Sequence, residues 1–238
     1  MATIERLIPG DIRPDDVTGQ ATLQLHVERY EFAAKYIKAG RLLDIACGVG
    51  YGTSLLAGRA SGVVEALGVD LDADAVGYAG AHYASERTRF LQQDAMTFAD
   101  GLGFDSIVSV ETLEHVPDPG RLVHQLLGLL RPGGVFVASV PTTPSIDVNP
   151  YHRTDFTEES FRRLVTRNGL TELGYLRQTQ PYPLLRVLRR TEPRMQDMRR
   201  NLVAWYARHP RALGRRLLAT VRYGFNNRYL TVAWQSRA

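Results

Sequence analysis

The stretch from Leu42 to Thr53, LLDIACGVGYGT, places Asp44 just ahead of glycines at 48, 50 and 52. Glycine at such a turn permits backbone angles and close approaches that a side chain would block, and a helix starting there offers the partial positive charge of its N-terminus. A nucleotide-type ligand suits that arrangement. The dinucleotide fingerprint requires glycine three residues after its second one, and that place holds Thr53. A phosphate-cradling loop needs glycine-lysine followed by serine or threonine, and none occurs, which argues against nucleoside triphosphate chemistry. A carboxylate at position 44 would repel a pyrophosphate but accept hydrogen bonds from an ammonium group, so the ligand is expected to carry a cation.

Two further acids extend the pattern. Asp70 closes ALGVD, where a carboxylate can take both hydroxyls of a ribose. Asp94, in FLQQDAM, is expected to end a third apolar run, placed either to accept from an exocyclic adenine amine or to cap the following turn. Ribose, adenine and ammonium together describe S-adenosylmethionine. Methyl transfer to oxygen or nitrogen is an in-line displacement, so the protein chiefly aligns the acceptor and excludes water; a base matters only where the acceptor carries a proton. His115, beyond the fourth apolar run, is the first candidate for base or acceptor orienter, with a purely structural histidine as the alternative, and His152 in NPYHRTDF is the second candidate. Arg29 would hold a cofactor carboxylate by a bidentate pair, with Tyr30 beside it, or else form a surface salt bridge. Glu111, Glu114, His115, His152 and Asp155 could in principle converge on a metal ion, but nothing in their spacing demands one, and no metal is expected.

Positioning these residues requires short apolar runs alternating with helical stretches. The runs are RLLDIA, EALGVD, RFLQQD, FDSIVSV, GGVFVASV, LTELGYL and a closing RYLTVAWQ. Between them, helices are predicted over 22–38, from Thr53, over 73–84, over 119–130 and over 158–166, with Arg131-Pro132-Gly133-Gly134 read as a turn. Alternating strand and helix gives an α/β fold, doubly wound around a mostly parallel sheet, with ligands at the carboxyl ends of the strands.

The 238 residues, 44% of them hydrophobic, suit one large domain or one domain carrying an insertion. No apolar run reaches the roughly 18 residues a membrane span needs, and MATIERLIPGD shows no export signal, so a cytoplasmic location is expected. A lone cysteine, Cys47, excludes an intramolecular disulfide and reads as a small packing residue. The net charge of +4 is unevenly spread: from Pro181 to Tyr223 eleven arginines face only Glu192 and Asp197. This segment is predicted to form two or three amphipathic helices, with Met195, Met198, Leu202 and Trp205 at helical spacing in the middle one. It reads as an insertion over 181–224, dividing a helical segment 1–40 and a core 41–180 from a final strand within 225–238. Three roles stand open for it: a solvated face or homodimer contact, a lid whose arginines meet phosphate or carboxylate on a substrate, or a platform for RNA or an anionic membrane surface.

The motifs LDIACGVGYG, GVDLD, QQDAM, VETLEHVPDP and LLRPGGVFVASVP, spanning about residues 20 to 178, resemble those of the class I, Rossmann-like S-adenosylmethionine-dependent methyltransferases. That resemblance implies a seven-stranded sheet with a reversed final hairpin and cofactor contacts at Asp44, Ala46, Gly48, Gly50, Asp70 and Leu71. It implies further cofactor contacts at Asp94, Ala95 and Val110. An acceptor site is implied above Glu111 and Glu114, reached also by Tyr151 and Asp155. VETLEHVPDP is similar to the ubiquinone-biosynthesis O-methyltransferases and their small-molecule relatives, whereas ERLIPGD, HVERYEFA and NPYHRTDFTEESF resemble methyltransferases of bacterial glycans and sugar-bearing natural products. The resemblance implies a sugar-containing small molecule as partner, with no nucleic acid. An RNA methyltransferase and a non-catalytic cofactor-binding protein are the other two readings.

Overall fold

The computed structural model describes residues 7–147, 149–182 and 201–237. A single turn of 3-10 helix, Pro9–Asp11, precedes α1 (Val17–Ala34), β1 (Gly40–Ile45), α2 (Tyr51–Arg59), β2 (Val63–Asp70), α3 (Ala73–Tyr83) and β3 (Thr88–Gln92). The second half continues with β4 (Phe104–Val110), α4 (Pro119–Gly128), β5 (Leu130–Pro141), α5 (Glu158–Thr166), β6 (Thr171–Pro181), α6 (Leu202–Arg208), α7 (Pro210–Tyr223) and β7 (Asn226–Gln235).

The seven strands form one sheet in the order β3-β2-β1-β4-β5-β7-β6. All neighbours are parallel except β7, which runs antiparallel to both β5 and β6. The expected doubly wound architecture with its reversed final hairpin is therefore present. Strand order reverses between β1 and β4, the place where such sheets open a crevice for ligands. β1 reads as an unbroken apolar run because both its faces are covered: Leu42, Leu43, Asp44 and Ile45 are all fully buried.

The two faces hold separate cores. On one, Tyr30 and Ala33 of α1 and Leu56 of α2 pack over Leu42, Val108 and Val137. On the other, Leu122 and Leu126 of α4 with Phe161 of α5 pack over Leu43, Ile107 and Phe136. Trp234 of β7, fully buried, stacks on Phe136 at 6.0 Å and meets Phe161 edge-on at 5.3 Å, locking the reversed strand to the parallel ones. Truncating a core aromatic of that size costs about 3–5 kcal/mol.

Local chemistry accounts for the element ends that differ from expectation. Helix α1 begins at Val17, because the Asp16 carboxylate accepts from the Gly19 amide at 2.8 Å, and it ends at Ala34. By Lys38 the backbone has left the helix, and the Lys38 amide donates to Ser106 Oγ at 2.9 Å. Helix α2 starts at Tyr51 directly behind Gly50, which takes φ +85°. Helix α4 stops at Gly128, and Leu130 already pairs with Phe104 of β4. The residues Arg131 to Gly134 form an excursion within β5: Phe104 pairs with Leu130 and Ser106 with Val135, so three extra residues bulge outward.

Of the basic insertion, residues 181–182 and 201–224 are described, the latter carrying α6 and α7; Met195 and Met198 lie outside the described residues. It leaves the sheet after Pro181 and returns at Asn226, two residues paired across β6 and β7. It is thus the enlarged loop of an antiparallel hairpin. Helix α1 docks on that hairpin, where Gln178 Nε2 donates to the Leu25 carbonyl at 3.1 Å and to Glu28 Oε2 at 2.8 Å. No helix among the described residues is long and apolar enough to cross a membrane.

Candidate active site

The carboxyl ends of β1 and β2 build one half of the site. Asp44 is fully buried; its Oδ2 accepts from Thr53 Oγ1 at 2.6 Å, and its Oδ1 is buried without a hydrogen-bond partner. Thr53, which stands where a dinucleotide fingerprint has glycine, therefore serves Asp44. Burial pushes the Asp44 carboxyl up to about 7, with the hydroxyls of Thr53 and Tyr30 pulling it down and the charge of Asp70 adding to the rise. A cationic group would relieve both the charge repulsion and the orphaned oxygen.

The three glycines of the turn do different work. A Cβ at Gly52 would lie 2.0 Å from the Tyr30 ring, and one at Gly50 would lie 2.6 Å from Ala79 Cβ, so both are needed for packing. Gly48 takes φ +57°, and a Cβ there would meet nothing within 4 Å. Its surroundings are open, as a ligand cradle requires. Asp70 clamps this turn to the end of β2: Oδ2 accepts from the Gly48 amide at 2.8 Å and Oδ1 from the Asp72 amide at 3.0 Å. Ala46 has φ +58° and Glu111 φ +50°, a left-handed conformation that is strained for residues with a Cβ. The strain falls just past the ends of β1 and β4, the two strands flanking the crevice. Cys47 is buried, and burial holds its thiol up, in the protonated form.

The remaining expected cofactor residues are placed as follows. Asp94 stands two residues beyond the end of β3 and is exposed, and its Oδ1 accepts from the Met96 amide at 2.8 Å, so the turn-capping alternative is present. Leu71, just past β2, is 66% exposed, and Val110 ends β4 in the core. Ala95 packs against the core and its carbonyl accepts from Gln125 Nε2 at 3.0 Å. Arg29 forms no surface salt bridge. It is 1% exposed, donates from Nε to Gln178 Oε1 at 2.8 Å, stacks at 4.1 Å over the Tyr229 ring and lies 3.7 Å from Glu111 Oε2. Its Nη1 has no hydrogen-bond partner. Tyr30 is buried, and burial, then the charge of Asp44, hold its hydroxyl well above the ordinary tyrosine value.

The other half lies over β4, β5 and the β6-β7 hairpin, around a cavity of about 540 Å³. Glu114, His115, His152, Asp155 and Glu111 line it, while Tyr151 is half exposed and meets His115 through its carbonyl. The loop after β5 is folded back onto the loop after β4. The amides of Arg153 and Thr154 donate to the Glu114 carbonyl at 2.7 and 3.2 Å, and the His115 and His152 rings meet edge-on at 4.7 Å. Asp155 Oδ1 accepts from the amides of Ser145 and Ile146, and Ser139 Oγ donates to Glu111 Oε1 at 3.0 Å. Burial, and secondarily the charge of His115, push the His152 imidazole down to about 3.

Helix α7 forms the outer wall, with Arg215, Leu218 and Tyr223 facing the cavity. The Arg215 guanidinium makes a bidentate pair with Asp147 at 2.7 and 2.8 Å. Sequence reasoning missed His26 and Thr22 of α1, together with Gln180 and Tyr229, which line the opposite wall. Burial and the nearby Arg29 charge push the His26 imidazole well below its ordinary value. His26 opens HVERYEFA, but nothing local places it or the other three on a cavity wall; the docking of α1 on the hairpin brings them in.

A seven-stranded sheet with a reversed final strand, an acid-glycine turn after its first strand and an acid ending its second define a class I, Rossmann-like methyltransferase. A family model for a methyltransferase domain matches residues 20–210, and the chain belongs to that family. It is 31% identical over 138 residues to a probable S-adenosylmethionine-dependent methyltransferase of Mycolicibacterium smegmatis, covering 55% of this chain and 52% of that one. It is 34% identical over 110 residues to the ubiquinone biosynthesis O-methyltransferase of Aeromonas salmonicida, with 44% of each chain covered. The chain thus spans about half the length of these curated relatives. Among solved structures, the N-methyltransferase NodS of Bradyrhizobium japonicum in complex with S-adenosyl-L-homocysteine superposes with a TM-score of 0.63 at 15% identity, covering 94% of this chain and 90% of that one. The chain thus carries a methyltransferase domain whose cofactor is S-adenosylmethionine.

Proposed function

We propose that this methyltransferase acts on a hydroxyl or amine of a sugar or sugar-bearing small molecule, in the biosynthesis of a glycan or natural product. The observation that carries this reading is the cavity beside the cofactor half, whose roughly 540 Å³ fits a small ligand and whose outer wall is a helix rather than an open track. Two arginines of that wall are engaged within the protein, Arg215 with Asp147 and Arg216 with the Tyr206 hydroxyl, which disfavours a nucleic-acid platform. The NPYHRTDF loop, on which the resemblance to glycan and natural-product enzymes rests, borders the same cavity through Asn149, His152 and Asp155.

When bound, the cofactor supplies an electrophilic methyl group on a sulfonium. Asp44 would hold its ammonium group, Asp70 its ribose hydroxyls, and Leu71, Asp94 and Ala95 its adenine. Arg29 Nη1, which makes no hydrogen bond within the protein and pairs with Glu111 at 3.7 Å, would be the donor a carboxylate takes beside Tyr30, and Ala46 and Val110 border the crevice between β1 and β4. His115 positions the acceptor or takes its proton. His152, with its imidazole pushed to about 3, is too weak a base near neutrality, so it serves better as an orienting group.

The reading is tested by transfer of an isotope-labelled methyl from S-adenosylmethionine to sugar nucleotides, glycosides, aminoglycosides and bulk RNA, with products resolved by mass spectrometry. Labelling of a glycoside or aminoglycoside is expected, and fragmentation then gives the acceptor atom. Labelling of RNA alone would overturn the reading.

A further inference from the structure

We infer that His26 is an acceptor-binding residue, whose imidazole receives a hydroxyl of the sugar next to the atom that takes the methyl. This deepens the preceding reading and rests on it in treating the cavity as the acceptor pocket. Three imidazoles line that cavity among the described residues, and two of them are engaged within the protein. His115 meets the Tyr151 carbonyl, His152 meets Ser145 Oγ, and the two rings pack edge-on against each other. His26 makes no hydrogen bond, ion pair or ring contact among the described residues.

The neighbours of His26 on the same wall are spent on one another. The Tyr229 hydroxyl donates to Gln180 Oε1 at 3.3 Å, Gln180 Nε2 donates to Thr22 Oγ1 at 2.7 Å, and Thr22 Oγ1 donates to the Thr18 carbonyl at 2.7 Å. This chain ends in the backbone of α1 and leaves His26, one turn beyond Thr22, without a share in it. Polar groups withdrawn from bulk water are stable only when something supplies their hydrogen bonds, and for His26 that partner must come from within the cavity.

Position along α1 fixes what His26 can reach. Thr22, His26, Arg29 and Tyr30 stand on one face of the helix at helical spacing. Arg29 lies 3.7 Å from Glu111, just past β4, and the Tyr30 hydroxyl bonds Asp44 of β1, so both address the cofactor half. His26 is about one helical turn from them and faces the same junction from the acceptor side. Burial, then the charge of Arg29, hold its imidazole well below the ordinary histidine value, so near neutrality the ring is uncharged, with one nitrogen donating and the other accepting. A hydroxyl donates and accepts, so it pairs with either nitrogen. A carboxylate or phosphate could engage only the donating nitrogen, and an ammonium group only the accepting one.

The test uses full-length protein and the sugar acceptor that takes the labelled methyl. His26→Phe keeps a ring and removes both nitrogens; it is expected to raise the KM for the acceptor about 10-fold to 100-fold. Cofactor affinity by calorimetry, thermal stability and kcat are expected to stay close to wild type, the pattern of a lost binding contact. His26→Gln, uncharged and carrying both a donor and an acceptor, is expected to recover most of the loss. Because a substitution could disturb α1 itself, the wild-type protein is also assayed on the mono-deoxy analogues of the same acceptor. One analogue is expected to lose the same factor, and His26→Phe to treat that analogue and the parent alike. An acceptor KM unchanged in His26→Phe, no recovery in His26→Gln, or equal discrimination by both proteins against every deoxy analogue overturns this inference and leaves the proposed function standing. Label in no sugar acceptor overturns both.

Discussion

The two halves of the site are built by different means. The cofactor half is assembled from turns contiguous in sequence: Asp44, Gly48 and Thr53 belong to one strand-turn-helix, and Asp70 reaches across a single strand to clamp the Gly48 amide. The acceptor half is assembled over long sequence separations: His115 meets the carbonyl of Tyr151, Arg215 meets Asp147, and Arg29 meets Gln178. The first half depends on two neighbouring strand ends alone. The second half can vary, because each of its walls comes from a separate loop or helix.

Substitutions should separate the halves. His115→Ala is expected to lower the transfer rate by on the order of 100-fold to 10,000-fold while leaving cofactor affinity unchanged; calorimetry beside single-turnover kinetics checks this, and a matching loss of cofactor binding would erase the division. Next come the glycines. Gly52→Val drives a side chain into the Tyr30 ring and should cost on the order of 3 kcal/mol of stability. Gly48→Ala has space for its Cβ but sits at φ +57°, so it should cost only about 1–2 kcal/mol, yet weaken the cofactor. Denaturant melts paired with cofactor titrations distinguish the two.

Asp44 gives a pH signature confined to the cofactor half. Its carboxyl rises from 3.8 to about 7 on folding, so the folded state holds the proton more tightly than the unfolded one. The stability it contributes is complete below about pH 4 and is lost as pH rises through 7. A cationic cofactor group prefers the ionised form, so affinity should increase by at most about tenfold per pH unit up to 7 and level off above it. In Asp44→Asn both slopes should flatten, which thermal melts from pH 4 to 8, with and without cofactor, would record. The smallest effect is expected at Asp94→Ala, which removes one exposed turn bond and should cost about 0.5–1 kcal/mol, with cofactor affinity changed less than about tenfold.

Sequence legibility follows the same division. Fully buried runs such as Leu42 to Ile45 and single capping residues leave local traces, so the strands and the acidic strand ends could be read directly. The start of α1 was hidden because Gly19 looks like a helix breaker until Asp16 is seen capping it. That His26, Gln180 and Tyr229 line the cavity carried no local signal, since they do so only after α1 docks on the β6-β7 hairpin. Arg29 was noticed, but its burial depends on Gln178, a partner 149 positions away.

The pairing of Pro181 with Asn226 has a consequence for how such a protein can change. The entire basic segment enters and leaves at a single rung of one ladder, so closure of that loop is already set by the hairpin and depends only weakly on its length. A different cassette spliced between those two residues would inherit a finished cofactor crevice and bring a new roof to the cavity. Exchange of acceptor preference then becomes a grafting problem at two fixed splice points, with no redesign of the sheet.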